Sequence, residues 1–224
     1  TRNYFEVPPY QSSKAMIVAD KEATGFEFGI MYPAFKFHRP TTVKEFKEEI
    51  VQMLYAEMLS DRLQELIKKE NPPFVFAYAG FGGYAKNYKS FMVQGGTGTQ
   101  DVQKRIDAAL TEIERSKRYG FTLAELERAK KNFLSNYEKT WNNRDKTESE
   151  NYAEEYISNF TSDEPVPGIE YEFDMVKKII PTIQIAEINA VTDLYKNEKN
   201  RFSFVMGRSE EHTSELQSQF RISY

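Results

Sequence analysis

Residues 71–94, NPPFVFAYAGFGGYAKNYKSFMVQ, decide the fold class of this chain. The Asn-Pro-Pro run at 71–73 ends a helical pattern, because proline lacks an amide hydrogen and cannot continue a helix. Two apolar runs follow, at Phe74–Ala79 and Ser90–Gln94, and they predict a pair of strands. The glycine- and tyrosine-rich residues Gly80–Lys89 between them predict a strand-to-strand connection. Strands that follow one another without an intervening helix favour an α+β protein.

Helical patterns flank this strand pair on both sides. A threonine followed three residues later by a glutamate forms a capping box, in which each side chain satisfies a backbone amide of the first helical turn. Three such boxes predict helix starts: Thr42 with Glu45, Thr122 with Glu125, and Thr147 with Glu150. Thr99 predicts the start of a further helix. The helix after the third box carries apolar residues on one side, at Tyr152, Tyr156, Ile157 and Phe160.

The complete pattern predicts an α+β fold for residues 1–207. About five strands are predicted, at Ala15–Ala19, Phe26–Tyr32, Phe74–Ala79, Ser90–Gln94 and Arg201–Met206. About six helices accompany them, and neither a linker nor an internal repeat divides this part of the chain. We therefore expect a single sandwich-like α/β domain, with a mixed, largely antiparallel sheet and helices packed on one of its faces.

The composition indicates a globular protein and argues against two kinds of partner. Of the 224 residues, 40% are hydrophobic and 14% are aromatic, which is too apolar for a disordered segment. The formal net charge is -4, so an extended phosphate-binding surface has no support and we expect no nucleic acid partner. No apolar run reaches the length of about 18 residues that a spanning helix needs, and we expect no membrane span.

Metal-ligating residues are scarce. The chain has no cysteine, which removes disulfides, thiolate zinc sites and cysteine nucleophiles together. Its two histidines are His38 and His212. A catalytic zinc site usually takes several histidines with a carboxylate, so we expect no metal site in this chain. A pair of carboxylates that acts as acid and base is neither required nor excluded by the sequence spacing.

The two ends of the chain differ from its body. The sequence RSEEHTSELQS at Arg208–Ser218 resembles the conceptual translation of a sequencing-adapter oligonucleotide, so we expect residues 208–224 to be an artefactual or disordered tail. The chain starts at Thr1 without methionine or a leader pattern. We expect a fragment of a longer protein, whose compartment the sequence leaves open.

Two motifs each allow two interpretations. The glycine-rich run Gly95–Thr99 lies between a predicted strand and a predicted helix, where it forms either a plain turn or a phosphate-binding loop. It lacks the lysine and the spacing of nucleotide-binding loops, which favours the turn. The alternating aromatics Phe74, Phe76 and Tyr78 share one face of their strand. They are either packing residues or part of a strand edge that pairs with an extended peptide.

Several tracts, taken in order, carry a family resemblance. They are Glu57 with the run RLQEL at 62–66, the stop at 71–73, the strand Phe74–Ala79, and YGFTLAELERAK at 119–130. The tracts KTES at 146–149 and PVPGIEY at 165–171 add to them. Together they resemble the insulinase/pitrilysin (M16) family of zinc metallopeptidases. The resemblance is to the second, non-zinc-binding domain of the N-terminal half, often called the M16 C-terminal domain.

The resemblance implies a noncatalytic substrate-chamber domain of a zinc-dependent endopeptidase that acts on peptides. The family's H-x-x-E-H motif is absent here, so the resemblance places zinc in a missing N-terminal domain and leaves this fragment inactive alone. Lys68 and Val75 stand where the C-terminal half of such enzymes carries an arginine and a tyrosine that polarise the scissile carbonyl. The implied partners are a peptide substrate and the other M16 domains of the same polypeptide, and a bacterial periplasmic location is compatible with the family.

The family also implies a substrate-anchoring strand beside a helix end. By position, the substrate-binding residues would be Met58, Leu59, Ser60, Asp61, Phe76, Ala77, Tyr78 and Ala79. Two alternatives stay open: a zinc-less homologue that acts as a structural or assembly subunit, and a stand-alone peptide-binding module. The presence or absence of H-x-x-E-H in the upstream sequence distinguishes the first alternative from an active enzyme.

Overall fold

A computed structural model describes residues 6–8, 12–98, 102–196 and 200–207. Within them, the strands are β1 (Lys14–Ala19), β2 (Phe26–Met31), β3 (Phe35–Lys36), β4 (Phe76–Ala85), β5 (Tyr88–Thr97) and β6 (Phe202–Gly207). The α-helices are α1 (Val43–Ile67), α2 (Val102–Tyr119), α3 (Leu123–Asn142), α4 (Ser149–Ser162), α5 (Ile169–Ile179) and α6 (Ile185–Ala190). None of the helices in these ranges combines the length and the hydropathy needed to cross a membrane.

All six strands join one mixed sheet. β5 pairs antiparallel with β2, β3 and β4, and β2 also pairs antiparallel with β6. β1 pairs with β6 in the only parallel ladder among the described strands. β4 pairs with β5 alone, so β4 is an edge strand. The predicted α+β class with a largely antiparallel sheet is confirmed.

The chain divides into two compact units, each built from separate segments. The described residues of the segments 1–36, 59–120 and 192–224 form the sheet unit, which holds all six described strands. Its core contains Phe28, Phe74, Phe91, Val93 and Ile113, all fully or almost fully buried. Residues 37–58 and 121–191 form the helical unit, and its core includes Ile50, Leu54, Leu126, Val176 and Ile188. The single domain expected over residues 1–207 stays a prediction.

Two of the three predicted capping boxes are present. Thr42 and Glu45 exchange backbone-to-side-chain hydrogen bonds of 3.0 and 3.3 Å at the start of α1, as predicted. The box at the start of α3 is also confirmed, where Thr122 caps the helix. The third prediction, a box between Thr147 and Glu150, is wrong. The helix α4 starts at Ser149, and its N-cap residue Glu148 makes no side-chain capping bond. The Thr99 cap lies outside the described residues.

The predicted connection Gly80–Lys89 is largely strand. β4 runs on to Ala85 and β5 starts at Tyr88, so two residues form the turn. Asn87 adopts a φ of 65° there, a left-handed conformation that asparagine tolerates better than most residues. Glycines and tyrosines indicate a loop only when no partner strand is available, and here the segment pairs along most of its length with β5.

Gly95 and Gly96 lie within β5 rather than in a turn, so neither interpretation of Gly95–Thr99 holds for this part of the run. A Cβ built on Gly95 would lie 2.8 Å from the Phe28 ring, and one on Gly96 would lie 2.3 Å from the Phe76 ring. Each phenylalanine is the register partner of its glycine on a neighbouring strand. The two glycines therefore make room for aromatic rings from the strands on either side of β5.

Candidate functional site

The candidate site is the outer edge of β4 in the sheet unit. An edge strand presents backbone amide and carbonyl groups that no neighbouring strand satisfies, and such groups can pair with an extended peptide. The side chains of β4 alternate: Ala77 and Ala79 are buried, whereas Phe76 and Tyr78 are 41% and 46% exposed. One face of β4 therefore packs on the core and the other carries two exposed rings.

Two side chains of α1 already hydrogen-bond to part of this edge. The amide of Ala79 donates to Ser60 Oγ at 2.9 Å, and the Ser60 hydroxyl donates to the Ala79 carbonyl at 3.2 Å. The Gln64 side-chain amide donates to the Ala77 carbonyl at 2.9 Å. These bonds show that the backbone groups of Ala77 and Ala79 point away from β5. A peptide could reach the bonded groups only by displacing Ser60 and Gln64.

The exposed face of β4 carries a small polar and aromatic cluster. The rings of Phe76 and Tyr78 stack with their centroids 6.5 Å apart. The Tyr78 hydroxyl donates a hydrogen bond to the side-chain carbonyl of Gln94 on β5. Tyr78 is thereby held in place on the sheet, with its ring accessible to solvent.

The structure brings together only some of the predicted substrate-binding residues. Ser60 contacts Ala79 directly, which joins the predicted helix positions to the predicted strand. Met58 and Leu59 are buried core residues, so their side chains cannot touch a ligand at the surface. Asp61 is half-buried. The assignment of these residues to substrate binding stays a prediction.

Gln64 was missed among the site residues. It lies four residues after Ser60 in α1, and residues at that spacing share one face of a helix. The spacing of four between Ser60 and Gln64, together with the alternating strand Phe74–Ala79, is the sequence signal that could have identified Gln64. Within α1, the family resemblance pointed only to Met58–Asp61 and gave no reason to extend the set along the helix.

Beyond Ala79, no described strand other than β5 pairs with β4, so this edge is open within the described residues. In a strand, the backbone groups of every second residue point to the same edge. Those of Phe81 and Gly83 therefore point the same way as those of Ala77 and Ala79. No hydrogen bond from another described residue covers their outward-facing groups. A Cβ built on Gly80 or Gly83 would meet nothing within 4 Å, and Gly82 has only the Met92 methyl at 3.7 Å. Packing within the described residues therefore does not require these three glycines.

The histidine and carboxylate side chains that the structure describes do not group into a zinc site. Within the described ranges, no three histidine, cysteine, aspartate or glutamate side chains form a group that could hold a metal ion. His38 is exposed, with Nδ1 3.1 Å from the Arg39 carbonyl and Nε2 3.6 Å from Glu45. Lys68 and Val75 are both exposed, and the Val75 amide donates to the Gly96 carbonyl. No metal-dependent step can be assigned to these side chains.

Comparisons with known proteins identify the family. Residues 3–133, more than half of the chain, match the family model described as the peptidase M16 inactive domain. A protein of Arabidopsis thaliana described as a zinc protease PQQL-like is 24% identical over 189 residues, which cover 84% of this chain and 17% of that protein.

Two solved structures of the periplasmic protease PqqL from Escherichia coli share the fold. The structure of its first half has a TM-score of 0.84 at 16% identity, and the match covers 93% of this chain and 45% of that one. The structure of the protease itself has a TM-score of 0.85 at 15% identity, with 98% and 24% covered. The chain thus spans less than half of these relatives. From the family match over residues 3–133, the chain belongs to the peptidase M16 inactive-domain family.

Proposed function

We propose that this chain is the noncatalytic substrate-chamber domain of a zinc-dependent endopeptidase and that it holds an extended peptide along β4. Membership of the M16 inactive-domain family supports the first part, as do relatives described as a zinc protease and as a periplasmic protease. Zinc and the residues that activate water would come from another M16 domain of the same, longer polypeptide. This chain would contribute affinity and orientation.

The open outer edge of β4 is the observation that carries this proposal. A peptide that adds as a further strand gains main-chain hydrogen bonds, and its side chains alternate between two faces. Ser60 and Gln64 occupy the edge at Ala77 and Ala79, so the peptide backbone would pair first with Phe81 and Gly83. The exposed rings of Phe76 and Tyr78 would then flank the peptide where it continues along the strand.

Substitution of Gly83 by proline tests this proposal. The Gly83 amide faces away from β5 and a Cβ at Gly83 meets nothing within 4 Å, so Gly83→Pro should leave the melting temperature within a few degrees of the unmodified chain. It should nevertheless weaken binding of a fluorescein-labelled decapeptide of alternating threonine and valine by about fivefold, because proline has no amide hydrogen and one edge hydrogen bond is lost. Gly83→Ala, which adds a side chain but keeps the amide, is the matched control.

The two variants separate the possible results. Loss of peptide affinity in Gly83→Pro with affinity retained in Gly83→Ala supports anchoring on β4. Equal affinities in both variants would contradict it. For the endopeptidase part, the complete polypeptide that contains this chain should cleave the same peptide and lose activity to a zinc chelator. A complete polypeptide without H-x-x-E-H and without cleavage would instead favour a structural or assembly subunit.

A further inference from the structure

The helical unit contains a groove separate from the β4 edge. Its volume is about 290 Å³, and it lies among the N-terminal half of α1, α3, α5 and the residues before α5. This volume is at the lower end of the range of ligand pockets, roughly 300–1,000 Å³, and it is enough for a side chain or a short segment. A second depression of about 310 Å³ adjoins it and shares Glu164, Pro165 and Glu172.

Apolar side chains form much of the groove wall and remain accessible. Val43 and Met53 on α1 are 50% and 46% exposed, although both belong to a helix with a well-buried core face. Tyr171 on α5 is likewise exposed. Pro165 and Pro167 stiffen the opposite wall, because the proline ring fixes φ. An apolar chain placed in this groove would cover surface that is now in contact with water.

The charged groups of the groove are all acidic. Glu49, Glu164 and Glu172 line the larger cavity, and Glu154 and Glu155 line the adjoining one. No lysine, arginine or histidine is among the described residues that line either cavity. Arg39 reaches Glu164 at 3.1 Å from outside the lining, so the Glu164 carboxylate is paired.

The electrostatics of Glu172 and Tyr137 reflect this imbalance. Burial raises the pKa of the Glu172 carboxyl above its ordinary value, and the neighbouring carboxylates of Glu155 and Glu164 raise it further. Burial, together with Glu172 and Glu49, raises the pKa of the Tyr137 hydroxyl to about 12. Both shifts follow from burial and from the negative charge of neighbouring carboxylates.

We propose that this groove binds a lysine or arginine side chain of an extended peptide segment, next to an apolar residue of that segment. The carboxylates complement the cation, and Val43 and Met53 complement its methylene stem and the apolar neighbour. Arginine suits the site best, because its planar guanidinium can donate to two carboxylates at once. A bare metal ion fits less well, since no metal-holding group of three such side chains occurs in the described residues. This site is independent of the proposed β4 anchor.

Binding of the amidated tripeptide acetyl-Leu-Arg-Leu to the 224-residue chain tests the proposal. The matched probe replaces arginine by citrulline, which keeps the shape but removes the charge. We expect the citrulline peptide to bind about tenfold more weakly by calorimetry, as expected for the loss of a charged pair. Binding of the arginine peptide should also lower the pKa of Glu172, because a bound cation favours the ionised carboxylate.

Variants locate the site in the groove. Glu172→Gln and, on a different helix, Glu49→Gln should each weaken the arginine peptide but not the citrulline peptide. Glu138→Gln is the matched control, since Glu138 is exposed on α3 next to Tyr137 but does not line the groove. Equal affinity for both peptides, or equal losses in Glu172→Gln and Glu138→Gln, would overturn the proposal. Having two groove variants keeps the test decisive if one of them fails to fold.

Discussion

At the scale of single residues, Gly95 and Gly80 lie in paired strands but should tolerate a methyl group very differently. A Cβ on Gly95 would lie 2.8 Å from the Phe28 ring and 2.9 Å from the Phe76 carbonyl oxygen, which belongs to the backbone and cannot move aside. We expect Gly95→Ala to lower the free energy of unfolding by about 1–3 kcal/mol, as overpacking does. Urea denaturation would measure the change.

Gly80→Ala is the matched control for this prediction. Its Cβ would meet nothing within 4 Å, and Gly80 does not adopt a positive φ. Alanine should therefore be neutral there or should stabilise the chain by about 0.4–1 kcal/mol, because it reduces the entropy of the unfolded state. Similar losses of unfolding free energy in Gly95→Ala and Gly80→Ala would show that the close approach to Phe28 is not the reason why position 95 requires glycine.

Glu45 should give the start of α1 a pH dependence. The Thr41 amide donates to its carboxylate at 2.8 Å, and bonds from Thr42 add to this, so the pKa of Glu45 falls to about 2. Because the folded-state pKa is below the ordinary value near 4.5, this contribution is present above pH 4.5 and is lost as pH falls towards 2.

Glu45→Gln tests this expectation by chemical denaturation at pH 7 and near pH 2. The variant should be less stable than the unmodified chain at pH 7, and the difference should shrink as the carboxylate of the unmodified chain is protonated. Glu48→Gln, one turn along α1 at an exposed position with a distant 3.8 Å ion pair, is the control. A difference for Glu45→Gln that is the same at both pH values would refute the assignment.

At the scale of elements, the link between α1 and β4 depends on Ser60. Its hydroxyl is bonded to both backbone groups of Ala79, so Ser60→Ala leaves a part-buried amide and carbonyl without this partner. We expect a loss of about 1–2 kcal/mol in unfolding free energy and faster hydrogen exchange at the Ala79 amide. Measurement of exchange by NMR distinguishes a local opening of the edge from global unfolding.

Ser90→Ala on β5 is the matched control for Ser60→Ala. The Ser90 hydroxyl is fully buried and, within the described residues, has no hydrogen-bond partner. Removal of such a hydroxyl should be neutral or stabilising, because no bond is lost and a desolvated polar group disappears. If Ser60→Ala and Ser90→Ala behave alike, the Ser60 bonds do not hold β4 to α1.

Elements with a strong local signal could be predicted from the sequence. The boxes at Thr42 and Thr122 located two helix starts, because both partners of a capping box lie within one turn. The strands β1, β2 and β6 were predicted to within about one residue at each end. The α+β class followed from the adjacent strands in residues 71–94. All of these depend on short-range patterns.

Features that depend on pairing partners could not be predicted. The segment Gly80–Ala85 looks like a loop by composition and becomes strand because β5 lies beside it. Gly95 and Gly96 resemble a turn until Phe28 and Phe76 occupy the space above them. The four apolar residues of the helix that is α4 are all exposed, because periodicity indicates which residues share a face but not whether that face is covered.

At the scale of the whole chain, we expect neither tight zinc binding nor peptide cleavage by these 224 residues alone. Cysteine is absent, and the nitrogens of His38 contact the Glu45 carboxylate and the Arg39 carbonyl rather than a group of metal ligands within the described residues. After dialysis against a chelator and then buffer containing zinc, elemental analysis should find well below one zinc per chain. Stoichiometric zinc that disappears in His38→Ala would contradict this expectation.

The end of the chain gives the last prediction. Strand β6 at Phe202–Gly207 lies between β1 and β2 and pairs with both, so it is a central strand of the sheet. Its pairing with β1 ends at Gly207, the register partner of Ala19. A chain that stops at Gly207 keeps every described strand pair. We therefore expect the shortened chain to melt within a few degrees of the full chain. Its helix and strand content, measured by far-ultraviolet circular dichroism, should be the same.

A second truncation, after Arg201, is the control for this prediction. It removes β6, exposes the facing edges of β1 and β2, and deletes the buried Val205 from the core of the sheet unit. Such a chain should lose its cooperative thermal transition, because a missing central strand leaves two rows of backbone groups unpaired. A large drop in melting temperature for the Gly207 truncation itself would show that residues 208–224 stabilise the fold. It would also contradict their interpretation as an adapter-derived tail.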